Sequence, residues 1–173
     1  NCLDARIVFT TSQGYSGNLG GLAGADQLCN THAANACLGG TYMAWLSTAA
    51  ESPSTRFTAA AVPYVRVDGT QLAPNFNGVI DGNLSAPIDK DENGDPPPLA
   101  IDLGGCTTDL VFTGTTPLGV ADGAPENRCQ DWTSANSNAL WGRWMVATGN
   151  WTDYCTGNGV TCNNEYPLYC FQQ

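Results

Sequence analysis

The sequence predicts an α+β domain, and three observations predict it. Short β-branched and aromatic runs alternate with turn-rich stretches, one well-formed amphipathic helix lies near the start, and eight cysteines are scattered along 173 residues. A chain of this length falls within the roughly 100 to 200 residues usual for one domain. No internal repeat and no long linker divides it, so residues 1–173 are read as a single unit.

The first strand is read over Ala5 to Thr11, where Ile7-Val8-Phe9-Thr10-Thr11 precedes the turn-rich stretch Ser12 to Gly17. A glycine cluster at Gly14, Gly17, Gly20, Gly21 and Gly24 leads into a helix ending near Asn35. Leu22, Ala25, Leu28, Cys29 and His32 fall at i, i+3, i+4 spacing and give that helix a core face that includes Cys29. Thr41 to Ser47 reads as a buried strand, and Ser54 to Ala61 as a short helix opened by Pro53 and closed by Pro63. Tyr64 to Val67 is a further strand, cut off by the Asp68-Gly69 turn. From Asn75 to Gly105 the chain turns to Gly, Asn, Asp and Pro, which predicts an extended loop region with at most brief hairpins. Leu110 to Gly114 and Trp144 to Val146 read as strands, and Tyr166 to Phe171 closes the chain as a buried one. Both terminal runs are apolar, so the N- and C-terminal strands are expected to pair antiparallel in one sheet.

Sixteen acidic residues against six Lys and Arg give a net charge of −10, which leaves no cationic surface to neutralise phosphates. Nucleic acid is therefore excluded as a partner, and heparin and anionic lipid surfaces are disfavoured. Charged residues make up 13% of the chain, against about 25% in an average soluble domain, and Lys90 is the single lysine. Hydroxyls and amides take their place, as in secreted proteins. No run approaches the roughly 18 apolar residues that cross a bilayer, so no direct membrane insertion is expected. Nothing from Asn1 to Thr10 reads as a signal peptide, so an exported protein would be present here as its mature form or as an excised domain.

The even cysteine count fits a disulfide framework and an oxidising compartment. Without a C-x-x-C pair, and with His32 as the single histidine, the chain lacks the ligands for structural zinc. The glycine string has neither Walker spacing nor G-x-G-x-x-G, and G-x-S-x-G is absent, so neither an organic cofactor nor catalysis is expected. His32 is read as a helix-face residue.

A likeness emerges from six motifs in order. They are Gly17 to Asp26 followed by Cys29, Leu38 to Ser47, Ala61 to Val65, Phe112 to Thr115, Cys129 to Ser134, and Trp151-Thr152 with the later Cys162 and Leu168-Tyr169-Cys170. Together these resemble the bacterial endostatin-like domain family, itself similar to the endostatin domain of collagens, over about residues 7 to 171. The resemblance implies a C-type-lectin-like fold: a mixed, mostly antiparallel sheet, one main helix, one short helix and long loops. It also implies two nested disulfides, Cys29 with Cys170 and Cys129 with Cys162. Cys2, Cys37, Cys106 and Cys155 lie outside that pattern, and three pairings among them stay open. The basic, heparin- and zinc-binding character of collagen-derived endostatin does not carry over to this acidic chain.

Candidate ligand residues fall in three places. Asp89, Asp91, Asn93 and Asp95, in D-x-D-x-N-G-D, begin a calcium loop, because alternating oxygen ligands followed by Gly let a loop wrap a hard cation. Position twelve of that loop is Ala100 rather than Glu, and the same run also reads as an acidic Asn-Gly turn without an ion. Glu126 and Asn127, with Asp131 and Asp153, resemble the carboxylate and amide pairs by which C-type lectins hold calcium and sugar hydroxyls, although Pro125-Glu126-Asn127 departs from their residue order. Trp132 and Trp151 sit in the family motifs and are read as core, whereas Trp141 and Trp144 flank Gly142 in an Asn/Ser-rich segment and are the surface candidates. The expected function is an extracellular or cell-surface binding module, recognising a glycan or an extracellular protein. The alternative is self-assembly as a subunit of an extracellular filament or surface layer.

Overall fold

The structure is a computed structural model that describes residues 4–100, 106–156 and 161–173. In chain order its elements are β1 (Arg6–Thr10), α1 (Gly21–Asn35), β2 (Tyr42–Ala44), α2 (Pro53–Arg56), β3 (Tyr64–Arg66), β4 (Gln71–Ala73), α3 (Phe76–Val79), β5 (Leu110–Phe112), β6 (Leu140–Arg143), β7 (Cys155–Thr156) and β8 (Tyr169–Gln172). This is the α+β class that the sequence predicts. The main sheet runs β2-β8-β1-β3-β4, and a second runs β5-β6-β7. The terminal strands pair antiparallel as expected, with Phe9 opposite Cys170. Among the strand pairs of the described residues β1–β3 is parallel and the others are antiparallel.

Period-two alternation gives the main sheet two buried faces. Phe9 and Cys170 face a core shared with α1, in which Phe112, Trp132, Trp141 and Tyr166 pack. Val8, Tyr169 and Phe171 face the opposite core, with Trp45, Tyr64, Trp144 and Trp151. A bridge between Phe112 and Leu168 joins the two sheets. Hydroxyls also cross between them: the Trp45 indole N–H donates to Thr152 Oγ1 at 2.8 Å, and Thr152 Oγ1 donates to the Thr115 carbonyl at 2.8 Å. These bonds satisfy polar groups that burial would otherwise leave costly.

Among the described residues three disulfides staple this arrangement: Cys29–Cys170, Cys129–Cys162 and Cys106–Cys155. The first two are the pairs that the resemblance implies, and the third settles one of the pairings left open. Cys37 is exposed, and Cys2 lies outside the described residues.

Several elements differ from expectation. The second helix ends at Arg56 because Phe57 becomes extended, with φ −79° and ψ 147°, and its ring packs on Trp45 and Phe171. Tertiary packing there outweighs helix propensity. Asp68-Gly69 turns into a further strand, β4, and the first part of the loop region holds the short α3, capped where Asn75 Oδ1 accepts from Gly78 N. The strand expected at Trp144 to Val146 lies one turn earlier, over Leu140–Arg143. The reason is Gly142, which a sequence reading treats as a breaker. A Cβ at that position would sit 2.0 Å from the Trp151 carbonyl oxygen, so glycine is what allows this strand to pass against the neighbouring backbone.

That shift corrects the surface assignment of Trp141 and Trp144. Their exposures are 0% and 2%, and they lie in opposite cores. Strand alternation around a glycine too small to fill either side directs the two rings to the two faces. Neither is available to a ligand at the surface.

Candidate functional site

The loops between β5 and β8 build the face where the sequence places its lectin-like residues. Thr115 pairs with Ala121 across a tight hairpin, and Asp122 follows directly. Pro125–Asn127 form one 3₁₀ turn, and then the backbone does something no local residue signals. Cys129, Gln130, Asp131 and Trp132 have φ of 49°, 53°, 54° and 66°, a left-handed turn without a glycine. Such a conformation costs roughly 1–2 kcal/mol per residue, so its surroundings must hold it. The Cys129–Cys162 disulfide pins its first residue. The Trp132 indole N–H donates to the Ser47 carbonyl at 2.7 Å and anchors its last.

Arg128, only 4% exposed, ties the face together. Its Nη1 donates to the Asp122 carbonyl at 2.7 Å and its Nε to Asp131 Oδ1 at 3.4 Å. Asp131 Oδ1 also accepts from Ala49 N at 3.0 Å. Asn127 Nδ2 donates to Asp122 Oδ2 at 2.6 Å. Burial and then the negative charge of Asp122 push the Asp153 carboxyl above its usual range. Three of the four predicted residues therefore converge on Asp122: Asn127 by a hydrogen bond, Asp153 by charge and Asp131 through Arg128. Glu126 is exposed on the 3₁₀ turn. Asp122 itself carries only an Asp-Gly turn signal in the sequence, which is why the sequence reading passes over it.

The Asp89 to Asp95 run is arranged differently from a calcium loop. Asp89 pairs with Arg66. Asp91, 4% exposed, turns its Oδ1 back to accept from Asn93 N at 2.8 Å and Asp95 N at 2.9 Å. This is the Asn-Gly turn reading, with Asp91 closing the loop on its own backbone. Among the described residues no three Asp, Glu, His or Cys side chains are gathered into a group that could hold a metal ion.

The residue that matters most in this run occupies one of its spacer positions. Glu92, 6% exposed, accepts from Ser12 N at 3.0 Å, from the Ser12 hydroxyl and from His32 Nδ1 at 2.6 Å. A carboxylate can only accept, so His32 Nδ1 is the donor to Glu92, and in the neutral ring Nε2 is then the acceptor for the Tyr15 hydroxyl at 2.8 Å. His32 is 8% exposed, in keeping with its place on the core face of α1. Burial and then the charge of Glu92 push the Tyr15 phenol up. The phenol thus stays protonated at neutral pH, and the relay positions a hydroxyl rather than generating a phenolate nucleophile. Helix periodicity points to His32, but its partners come from the glycine loop and from a turn 60 residues on.

For Glu92, burial opposes ionisation, but hydrogen bonds from His32 and Ser12 prevail and hold the carboxyl below its usual range. A depressed folded-state pKa adds stability that is present above the unfolded value, about 4.3, and is lost as pH falls through the folded value. Thermal unfolding should therefore show a stability loss on acidification below about pH 4.3, and Glu92→Gln should flatten it. An unchanged acid limb in that variant would show that other carboxylates govern the loss.

No family model matches the chain, and no curated protein matches it.

Proposed function

We propose that the chain is a non-enzymatic extracellular recognition module, endostatin-like and C-type-lectin-like, that binds a glycan or an extracellular protein through the loop face around Asp122. The observation that carries this reading is the gathering of loop side chains at Asp122, where Asn127 Nδ2 donates to its carboxylate at 2.6 Å and the buried Arg128 donates to its carbonyl at 2.7 Å, with the negative charge of Asp122 felt by Asp153. Two like charges held together retain an unfavourable interaction that a partner's hydrogen-bond donors or cationic groups relieve. Loops on a rigid scaffold are where recognition usually lives. The three disulfides among the described residues support an oxidising compartment. Among the described residues no helix is long and apolar enough to cross a membrane. The family reading is supported by the six ordered motifs and by the Cys29–Cys170 and Cys129–Cys162 pairs.

The test is binding to an array of glycans and extracellular matrix proteins, run in calcium and in chelator, for the wild type and for Asp122→Asn/Asp153→Asn. The variant should bind at least about tenfold more weakly, the loss of one or two charge-assisted hydrogen bonds, with a midpoint temperature equal to or above that of the wild type because the charge repulsion that adds to burial in raising the Asp153 carboxyl is gone. Undiminished binding by the variant would remove this face from the reading.

Assembly is a second reading, supported by Leu118 and Val120, which are 60% and 43% exposed on the hairpin beside Asp122. Sedimentation should then show concentration-dependent association, lost in Leu118→Asp. A protein that stays monomeric at all concentrations, with and without calcium, would overturn it.

A further inference from the structure

One flank of α1 borders a groove of about 370 Å³ that shares no residue with the face around Asp122. Its walls include Tyr15, Ser16, Asn18, Gln27, Leu28 and Thr31, and no charged side chain is among its lining residues. We propose that this groove is a binding site for a neutral, polyhydroxylated ligand, a saccharide unit, with Tyr15 as its rigid wall and Asn18 and Gln27 as its hydrogen-bonding arms. The inference stands independently of the loop-face reading.

The lining chemistry sets the ligand class. Asn18 and Gln27 are exposed at the groove, and each amide offers a donor and an acceptor side by side, the complement of adjacent sugar hydroxyls. Without a lining charge the groove gives no advantage to an ionised ligand. Leu28 and the tyrosine ring supply apolar surface for the C–H face of a sugar. The volume lies at the lower end of the roughly 300–1,000 Å³ typical of small-ligand sites.

Pre-organisation is the second argument. The half-buried Tyr15 stands edge-on over His32, with ring centroids 6.0 Å apart and an interplanar angle of 82°. Its phenol proton is committed to His32 Nε2, His32 Nδ1 is committed to Glu92, and Glu92 is held by Ser12. The bond to His32 fixes the orientation in which Tyr15 lines the groove. Two buried residues thus serve to hold one partly exposed ring, and a wall fixed in advance spares a ligand the entropy of ordering it. The far end of the groove is equally fixed. A Cβ on Gly24 would lie 1.9 Å from the Leu19 carbonyl oxygen, so helix and loop backbone meet there directly. His32 and Glu92 are positioning residues; Tyr15, Asn18 and Gln27 are the contacts.

The test is an amide NMR titration of the ¹⁵N-labelled protein with neutral monosaccharides and their β-linked disaccharides, with glycerol as a control polyol. At least one saccharide should shift the amides of residues 15–19 and 24–31, where glycerol does not. Asn18→Ala/Gln27→Ala, at exposed positions, should weaken that binding about tenfold or more, and Tyr15→Phe about three- to tenfold, as loss of neutral hydrogen bonds implies. Asp122→Asn/Asp153→Asn should leave it unchanged. Long-range ¹H–¹⁵N spectra should find His32 protonated at Nδ1, with Nε2 shifting in Tyr15→Phe; His32→Gln should weaken binding as Tyr15→Phe does. The proposal is overturned if no saccharide shifts these amides, if Asn18→Ala/Gln27→Ala binds like the wild type, or if His32 carries its proton on Nε2. Shifts confined to residues 114–131 and 149–154 would overturn it while supporting the loop-face reading.

Discussion

Replacing Cys29 and Cys170 together by serine is expected to lower the unfolding free energy by about 5 kcal/mol, because in the chain-entropy account the gain from a cross-link grows with the logarithm of the loop it closes. These two cysteines are 141 residues apart, against 33 for Cys129 and Cys162. Serine replacement of the second pair should therefore cost about 3.5 to 4 kcal/mol. The difference is amplified by location. Cys29 sits on the core face of α1, and Cys170 lies in β8, an interior strand between β2 and β1 of the main sheet. Both residues are fully buried, and serine would leave two hydroxyls in that core. Guanidinium unfolding of the two double variants at one pH makes the comparison. A smaller loss for the Cys29–Cys170 pair than for Cys129–Cys162 would show that loop length does not set the stabilisation here.

Trp141→Ala should cost about 3–5 kcal/mol, the range for removing a large ring from a packed core. Trp141 stacks on Phe112 with centroids 5.9 Å apart and meets Tyr166 edge-on at 5.6 Å. Its indole N–H has no hydrogen-bond partner among the described residues. Trp141→Phe gives up no polar contact on that account, and should cost less than half as much. Any ligand bound by the wild type should be bound equally well by the folded fraction of either variant, measured below its own unfolding transition. An Ala variant as stable as the wild type, yet defective in binding, would place Trp141 at the surface and contradict its burial.

The face around Asp122 and the Tyr15 relay were legible to different degrees. Glu126, Asn127, Asp131 and Asp153 are recognisable because loop carboxylates and amides stand out in a chain poor in charge. Asp122, on which three of them converge, is not. Its role depends on Arg128 being buried and on four successive left-handed residues, and the side chains at those positions give no hint of that backbone. For Glu92 the signal was present but read at the wrong parity. Alternation in the acidic run selects Asp89, Asp91, Asn93 and Asp95, whereas the residue between them is the one that turns inward to His32. A loop closed by Asp91 on its own backbone has no strand periodicity, so alternation does not report which side chains share a face.

What the sequence by itself determines is local or compositional. The amphipathic helix, the terminal strands and their antiparallel pairing, and the α+β class follow from periodicity and apolar runs. Tertiary structure alone decides which tryptophans are buried, where the second helix stops, and which distant groups meet. Trp141 and Trp144 enter opposite cores because Gly142 lets β6 pass against the Trp151 backbone. The Tyr15–His32–Glu92 relay joins three segments through contacts 17 and 60 residues apart. The physical reason is the same in each case. Periodicity records the preference of a segment for a surface, while contacts between segments depend on chain reversals whose geometry is set by packing rather than by the residues at the turn.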